Sequence, residues 1–175
     1  ILREELPSDT IITTDVGSHL HLAGQYWETR GRSNFIISNG WSGMGFGIPS
    51  AIAAAISKPF ARSVCITGDG GFLMSAGEIM TARHNNLPVM IIVLSDGELN
   101  LIKLKQSWKG ISPGGMNLYY GELFGSDMFL GVRVLRADSP GTMQKAVSSS
   151  LLLKEPVIIN AIIDPDDYKW LVVKR

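Results

Sequence analysis

The sequence of 175 residues contains a single cysteine, and its 16 basic and 16 acidic residues leave no net charge. One cysteine cannot form an intrachain disulfide. Because Cys65 lies in the apolar run 64–66, we expect an inert thiol in the core and a reducing, cytoplasmic setting. Without an excess of positive charge, the composition does not favour binding to nucleic acid or to an anionic membrane surface.

Long apolar stretches, internal repeats and low-complexity tracts are also missing. The longest apolar run, 89–94, is far shorter than the roughly 20 residues that a membrane-spanning helix needs, so we expect no membrane segment. No signal-peptide pattern begins the sequence. The first residue is Ile1 rather than Met, and residues 2–7 resemble the end of a helix. We therefore expect one domain, residues 1–175, excised from a longer chain.

Short apolar runs rich in β-branched residues alternate with longer stretches of helical periodicity. Most runs are apolar on both faces, as expected for strands buried between two helical layers. The alternation predicts an α/β fold with a doubly wound, mostly parallel six-stranded sheet and helices on both faces. The predicted strands are 11–14, 35–37, 63–66, 89–94, 132–135 and 157–163; the predicted helices are 18–29, 45–57, 75–86, 117–125 and 139–153; the predicted mobile loop is 107–116.

In such sheets ligands bind beyond the carboxyl ends of the strands, so the loops that follow strands are the candidate sites. One of them is Gly68-Asp69-Gly70-Gly71. Its glycines allow the backbone N–H groups to approach an oxygen-rich ligand, and Asp69 offers a hard oxygen to a cation. The alternative interpretation is a tight turn with a solvated aspartate.

A second loop, Ser95-Asp96-Gly97-Glu98, follows the next predicted strand. Asp-Gly is a preferred hairpin turn, but Leu101, Ile102 and Leu104 break the alternation that a returning strand needs, so a loop entering a short helix fits better. Both loops then lie at the same edge of the sheet. Asp69 and Asp96 together would suit magnesium bound to a diphosphate.

Two further loops follow predicted strands. Residues 15–19 open a helix, where backbone N–H groups favour an anion. His19 and His21 could act as bases or metal ligands, or be ordinary first-turn residues, which is the favoured interpretation for His21 because the two lie on different helix faces. His84 is expected at the surface. In the glycine-rich segment 39–47, Met44 would support a flat ligand or simply fill core space.

These four loops, in this order, resemble the C-terminal domain of the thiamine diphosphate (ThDP)-dependent carboligase and decarboxylase superfamily, and within it acetolactate synthase. The resemblance extends from Asp9 to about Arg175. Its most specific element is the thiamine motif, which begins at Gly68-Asp69-Gly70 and closes at Asp96, with 96 − 69 = 27 positions between the two metal-ligand positions. The family more often has asparagine at the second one. An aspartate there should tighten metal binding and make it more dependent on pH.

The resemblance implies a role for each loop. Asp69 and Asp96 would bind Mg²⁺ through their side chains, and Glu98 through its backbone carbonyl. The Met44 side chain would lie between the two rings of the cofactor, and Leu101 or Ile102 would contact substrate. No catalytic residue is expected in the chain. The full cofactor-binding set that the resemblance implies is Gly17, Ser18, His19, Ser42, Gly43, Met44, Asp69, Gly70, Gly71, Asp96, Glu98, Leu99 and Asn100.

The resemblance also implies an activity, the decarboxylating condensation of two pyruvate molecules to acetolactate and carbon dioxide, in a homodimer or tetramer. In the family the glutamate that activates the aminopyrimidine lies on an N-terminal domain of a neighbouring subunit, and Glu78 is expected on the wrong helix. The isolated chain is therefore expected to be inactive. The alternatives are another ThDP enzyme (an aryl-pyruvate or benzoylformate-type decarboxylase, a lyase or an oxidase), a phosphate-binding module of flavodoxin type, and a structural fragment that binds nothing.

Overall fold

The computed structural model describes residues 1–29, 34–118, 121–166 and 168. Strands form where the sequence is richest in Ile and Val, because β-branched side chains pack well on a pleated surface. The strands in the described residues are β1 (Ile11–Thr14), β2 (Phe35–Ile37), β3 (Ser63–Gly68), β4 (Val89–Ser95), β5 (Met128–Phe129), β6 (Val132–Ala137) and β7 (Val157–Ile162).

These strands form one sheet in the order β2-β1-β3-β4-β7-β6-β5. Every neighbouring pair is parallel except β5 and β6, which are antiparallel. The predicted mostly parallel α/β fold is confirmed, but the predicted number of strands is one too low. The additional strand, β5, is only two residues long and lies at the edge of the sheet, so it leaves no alternating pattern in the sequence.

Helices connect the strands. They are α1 (Leu2–Glu5), α2 (Ser18–Tyr26), α3 (Gly47–Ser57), α4 (Asp69–Ser75), α5 (Ile79–His84), α6 (Asn100–Trp108) and α7 (Pro140–Leu151), with a 3₁₀ turn at Ala76–Glu78 between α4 and α5. The start of α7 shows why the sequence begins a helix there. Ser139 Oγ accepts from the backbone N–H of Thr142 (3.3 Å), Thr142 Oγ1 accepts from that of Ser139 (2.9 Å), and Pro140 occupies the first turn.

Two helix predictions need correction. The helix predicted at 75–86 begins earlier, at Asp69, and is divided by the 3₁₀ turn. The helix predicted at 117–125 is not formed in the described part of that range. Residues 116–118 instead lie along the start of α6, where Leu99 N–H donates to the Met116 carbonyl (2.8 Å) and Leu118 N–H donates to the Gly97 carbonyl (3.0 Å). Those backbone groups are therefore not available for a helix.

The core occupies both faces of the sheet. Side chains alternate along each strand, so Cys65 and Ile91 pack on one face while Val64 and Met90 pack on the other. Phe72, Phe124 and Phe129 pack edge to face on the first side, with ring centroids 5.1 to 5.5 Å apart. Cys65 is fully buried, and burial raises the pKa of its thiol, as expected for an inert core cysteine. Within the described residues, no helix combines the length and apolarity needed to cross a bilayer.

Candidate functional site

A cleft of about 250 Å³ opens at the carboxyl ends of the central strands. The chain leaves β1 towards β2 on one side and returns to β3 on the other, so the loops after β1 and β3 diverge at this point. Such a reversal of strand order leaves a crevice in an open parallel sheet. The loops that follow β1, β3 and β4 line the cleft together with one face of α6.

Asp69 is the first residue of α4, and its buried carboxylate links two loops. One oxygen accepts from the backbone N–H of Gly70 (2.8 Å). The other accepts from the N–H groups of Asp96 (3.1 Å) and Gly97 (2.8 Å). The two aspartates predicted to meet are therefore neighbours, and Asp69 sets the position of the loop that carries Asp96.

The carboxylate of Asp96 is half-buried beside that of Asp69. Its Oδ1 accepts from the backbone N–H of Glu98 (3.0 Å), and the Asn100 side chain also hydrogen-bonds to it. Burial raises the pKa of Asp96 to about 6. The charges of Asp69 and Glu98 also raise this pKa, whereas the two hydrogen bonds lower it. Because two carboxylates repel each other here, a bound cation would stabilise both.

No group of three or more His, Cys, Asp or Glu residues suited to a metal occurs among the described residues. A magnesium site does not need one, because this ion usually shares its shell with phosphate oxygens and water. The Glu98 carboxylate forms an ion pair with Lys103 (2.5 Å). The predicted metal contact through the Glu98 backbone carbonyl stays a prediction.

The loop after β1 brings two unpaired polar atoms to the cleft. Ser18 and His19 are each 4% exposed, and neither Ser18 Oγ nor His19 Nε2 has a hydrogen-bond partner in the described residues. Burial lowers the pKa of His19 to about 4, although the charge and backbone of Asp15 oppose this shift, so the imidazole is neutral at pH 7. A buried polar atom without a partner is costly, which favours a polar ligand at this position. His21 and His84 are exposed.

Glycines allow three loops to pack closely around the cleft. A Cβ at Gly70 would lie 2.6 Å from Leu99 Cδ2 and 3.2 Å from Met44 Cε. A Cβ at Gly71 would lie 2.8 Å from both Asp15 Cγ and Thr67 Oγ1. The distances of 2.6 and 2.8 Å are shorter than real Cβ contacts, so a side chain at Gly70 would displace the end of the Leu99 side chain, and one at Gly71 would displace the buried Asp15 and Thr67.

Asp15 was not among the predicted site residues, although it organises this region. It is fully buried, and its carboxylate accepts from the backbone N–H groups of Val16 (2.6 Å), Gly45 (3.0 Å) and Gly47 (3.2 Å). It therefore joins the loop after β1 to the start of α3. The signal in the sequence was an aspartate directly after an apolar strand and two residues before a glycine.

The structure brings every residue of the predicted cofactor-binding set to the cleft except Gly43, which is exposed and does not line it. Ser42 and Met44, on either side of Gly43, do line it, and Ser42 has a positive φ of 53°. Leu101 and Ile102 line it from α6. Lys105 and Tyr168 also line the cleft and were not predicted; burial raises the pKa of the Tyr168 hydroxyl.

Comparison with known proteins gives a consistent family. Residues 15–161 match the family model described as thiamine pyrophosphate enzyme, C-terminal TPP binding domain. The chain is 34% identical to a probable acetolactate synthase large subunit of Methanococcus aeolicus, over 90% of this chain and 26% of that protein. It is 34% identical to the corresponding protein of Methanocaldococcus jannaschii, over 90% and 27%. It is 30% identical to acetolactate synthase of Bacillus subtilis, over 95% and 29%.

Proposed function

Because this chain belongs to the thiamine pyrophosphate enzymes, as a C-terminal TPP-binding domain, we propose that its cleft binds ThDP together with Mg²⁺. The observation that carries the proposal is the meeting of Asp69 and Asp96 at the carboxyl ends of β3 and β4. Two adjacent carboxylates attract a divalent cation, and the cation in turn attracts a diphosphate. The proposed metal ligands are the side chains of Asp69 and Asp96 and the carbonyl of Glu98.

The residues around the cleft suit such a ligand. The unpaired Ser18 Oγ and the neutral His19 Nε2 offer polar atoms to the diphosphate, alongside backbone N–H groups at the start of α2. Gly70 and Gly71 allow the backbone to approach it. Met44 provides apolar contact for the cofactor rings. The proposed cofactor contacts are those of the predicted set, Gly17, Ser18, His19, Ser42, Gly43, Met44, Asp69, Gly70, Gly71, Asp96, Glu98, Leu99 and Asn100.

When bound, ThDP supplies the electron sink for cleavage of the bond between the two carbonyl carbons of a 2-oxo acid. The residues of this chain bind and orient the cofactor. Asp69 and Asp96 fix the metal and its diphosphate, and the face of α6 at Leu101 and Ile102 excludes water and contacts substrate. Glu78 is not among the residues that line the cleft. The acids that line the cleft in the described residues are Asp69, Asp96 and Glu98, and all three are assigned to the metal, so none of them is assigned to protonate or deprotonate the cofactor.

The chain spans about a quarter of the length of the curated relatives that it matches. We therefore propose that the activity, decarboxylating condensation of 2-oxo acids as in acetolactate synthesis, needs the remaining domains of such a protein in a cytoplasmic homodimer or tetramer. The names of the relatives support this substrate class. An assay of the isolated chain with pyruvate, ThDP and Mg²⁺ is expected to give no turnover, and measurable carbon dioxide release would contradict the proposal.

Calorimetry tests the binding proposal. The chain is titrated with ThDP in the presence of Mg²⁺ and again with EDTA, alongside the variants Asp69→Ala and Asp69→Asn. We expect binding only with Mg²⁺ and a loss of affinity on the order of 100-fold in either variant. Asp138→Asn is the control, because it removes an exposed carboxylate that lies in the connection between β6 and α7 and does not line the cleft. A flavodoxin-type phosphate site would instead bind ThDP without Mg²⁺ and be insensitive to both variants.

A further inference from the structure

A second cavity lies at the opposite end of the sheet from the cleft, at the amino ends of β6 and β7. Its volume is about 400 Å³, within the range of small-molecule sites. The residues that carry its chemistry are Arg83, Asn86, Arg133 and Glu155. Strands β6 and β7 are each six residues long, so at about 3.3 Å per residue the two ends of the sheet are about 20 Å apart.

The first guanidinium group in this cavity is held in place by a turn. Arg83 donates to the backbone carbonyl of Leu130 (3.2 Å). Leu130 and Gly131 both have positive φ, 48° and 74°, as in the two-residue hairpin turn of type I′, and they connect β5 to β6. A Cβ at Gly131 would overlap the Arg83 guanidinium. The turn therefore leaves room for this group and fixes its position without a ligand.

The second guanidinium group belongs to Arg133, which lies on β6 between Met128 and Val157 in the sheet. Within the described part of the chain, neither arginine has a carboxylate within the 4.0 Å of an ion pair. Glu155 borders the same cavity but does not pair with either of them. Arg136, on the same strand, differs because it forms an ion pair with Asp138 at 3.5 Å.

We propose that this second cavity binds the phosphate group of a small molecule through Arg83 and Arg133. A guanidinium group presents planar donors that match two phosphate oxygens, and two such groups without a carboxylate partner leave those donors available. The Asn86 amide adds a donor beside them. Glu155 repels the anion and lowers its affinity, because one negative charge opposes two positive charges. The proposal is independent of cofactor binding in the cleft.

The test is a titration of the full chain with inorganic phosphate, in EDTA and without ThDP, followed by backbone amide NMR at constant ionic strength. We expect saturable shifts at Gly131, Arg133 and Glu155. Acetate serves as the comparison anion and is expected to bind much more weakly, because it carries one charge and only two oxygens. Phosphate shifts confined to residues 17–19 and 69–71 would place the anion only in the cleft and overturn this proposal without affecting the proposed function.

Variants make the test specific. We expect the affinity for phosphate to fall at least tenfold in Arg133→Gln and in Arg83→Gln. In Glu155→Gln the affinity for phosphate should rise several-fold. Arg136→Gln should have no effect, because its guanidinium group is paired outside the cavity. Since Arg83 also contacts the turn, Arg133→Gln and Glu155→Gln are the decisive pair. Unchanged affinity in both, with unchanged thermal midpoints, would overturn the proposal, as would equal saturation by acetate.

Discussion

The backbone N–H of Asp96 donates to the side chain of Asp69 over 3.1 Å, although the two residues are 27 positions apart in the sequence. This bond makes the second acidic loop dependent on the first. Asp69 has two tasks in consequence, since it is a proposed metal ligand and also the acceptor that orders residues 96 and 97. Loss of its carboxylate should therefore affect both binding and the shape of the loop.

The pKa of Asp96 predicts how binding responds to pH. In the metal-free chain this carboxyl group is half protonated near pH 6, and Mg²⁺ needs the ionised form. We expect the affinity for ThDP with Mg²⁺ to fall as pH decreases from 7.5 to 5.5, approaching tenfold per unit below pH 6. Calorimetry at several pH values measures this effect.

The matched variant is Asp96→Asn. It should keep Mg²⁺-dependent binding, with weaker affinity at pH 7.5 and a shallower pH dependence over the same interval, because protonation of the diphosphate itself remains while His19 stays neutral. Its metal-free form should be more stable than the original chain at pH 7, because the folded-state pKa of Asp96 lies above its usual 3.8 and ionisation opposes folding. A pH dependence as steep as that of the original chain would refute the assignment to Asp96.

The lowered pKa of His19 predicts a pH dependence of stability opposite in sign to that of Asp96. Its folded-state pKa of about 4 lies below the usual 6.5. Between pH 6.5 and 4 the imidazole is therefore protonated in the unfolded chain but not in the folded chain. The free energy of unfolding should fall by about 2–3 kcal/mol through this group as pH decreases from 6.5 to 4. Urea denaturation of His19→Gln should lack this contribution. His21→Gln, a change at an exposed position, should retain it.

Gly71→Ala tests the close packing behind the cleft. The added methyl group would meet Asp15 and Thr67 at 2.8 Å, and both neighbours are buried. We expect the free energy of unfolding to fall by about 1–3 kcal/mol, measured by urea denaturation. Gly77→Ala is the control, because nothing lies within 4 Å of its Cβ position. Equal stabilities of the two variants would show that the loops can separate without cost.

Asp15→Ala removes the acceptor for three backbone N–H groups. Because these groups are buried or half-buried, we expect a loss of about 2–4 kcal/mol in the free energy of unfolding. Asp9→Ala, an exposed change at the preceding turn, should alter stability by less than about 0.5 kcal/mol. A small effect of Asp15→Ala would mean that water replaces the carboxylate, and hydrogen exchange at Gly45 and Gly47 would then be fast.

Local patterns predicted much of this fold because buried parallel strands are continuous apolar runs. The errors arose where distant residues decide the structure. Glycines at 70 and 71 disfavour a helix locally, yet both lie inside α4. They are explained by their surroundings, because the neighbouring residues leave little room for a Cβ at either position. Residues 117 and 118 pair with 97 and 98 instead of forming a helix, which local periodicity does not reveal.

The site was partly predictable for a similar reason. Motif spacing and the rule that ligands lie after strands pointed to Asp69 and Asp96. Lys105 and Tyr168, which line the cleft, were missed, because tertiary packing brings them there. Asp15 was missed as well, because its role depends on hydrogen bonds to the distant Gly45 and Gly47. The unpaired side chain of Ser18 was also unforeseen, and for His19 the sequence suggested a base or a metal ligand rather than a buried, neutral imidazole.

The hydrogen bonds that hold the cleft together join residues far apart in the sequence, with Asp15 reaching Gly45 and Gly47 and Asp69 reaching Asp96. The Asp69–Asp96 bond cannot form before β3 and β4 lie side by side, and the complete cleft also needs β1 beside β3. Pairing of strands so distant along the chain is slow, because a long loop must close first. During refolding, helix content should thus recover early, and the ability to capture a ligand should return only with the last step of sheet assembly.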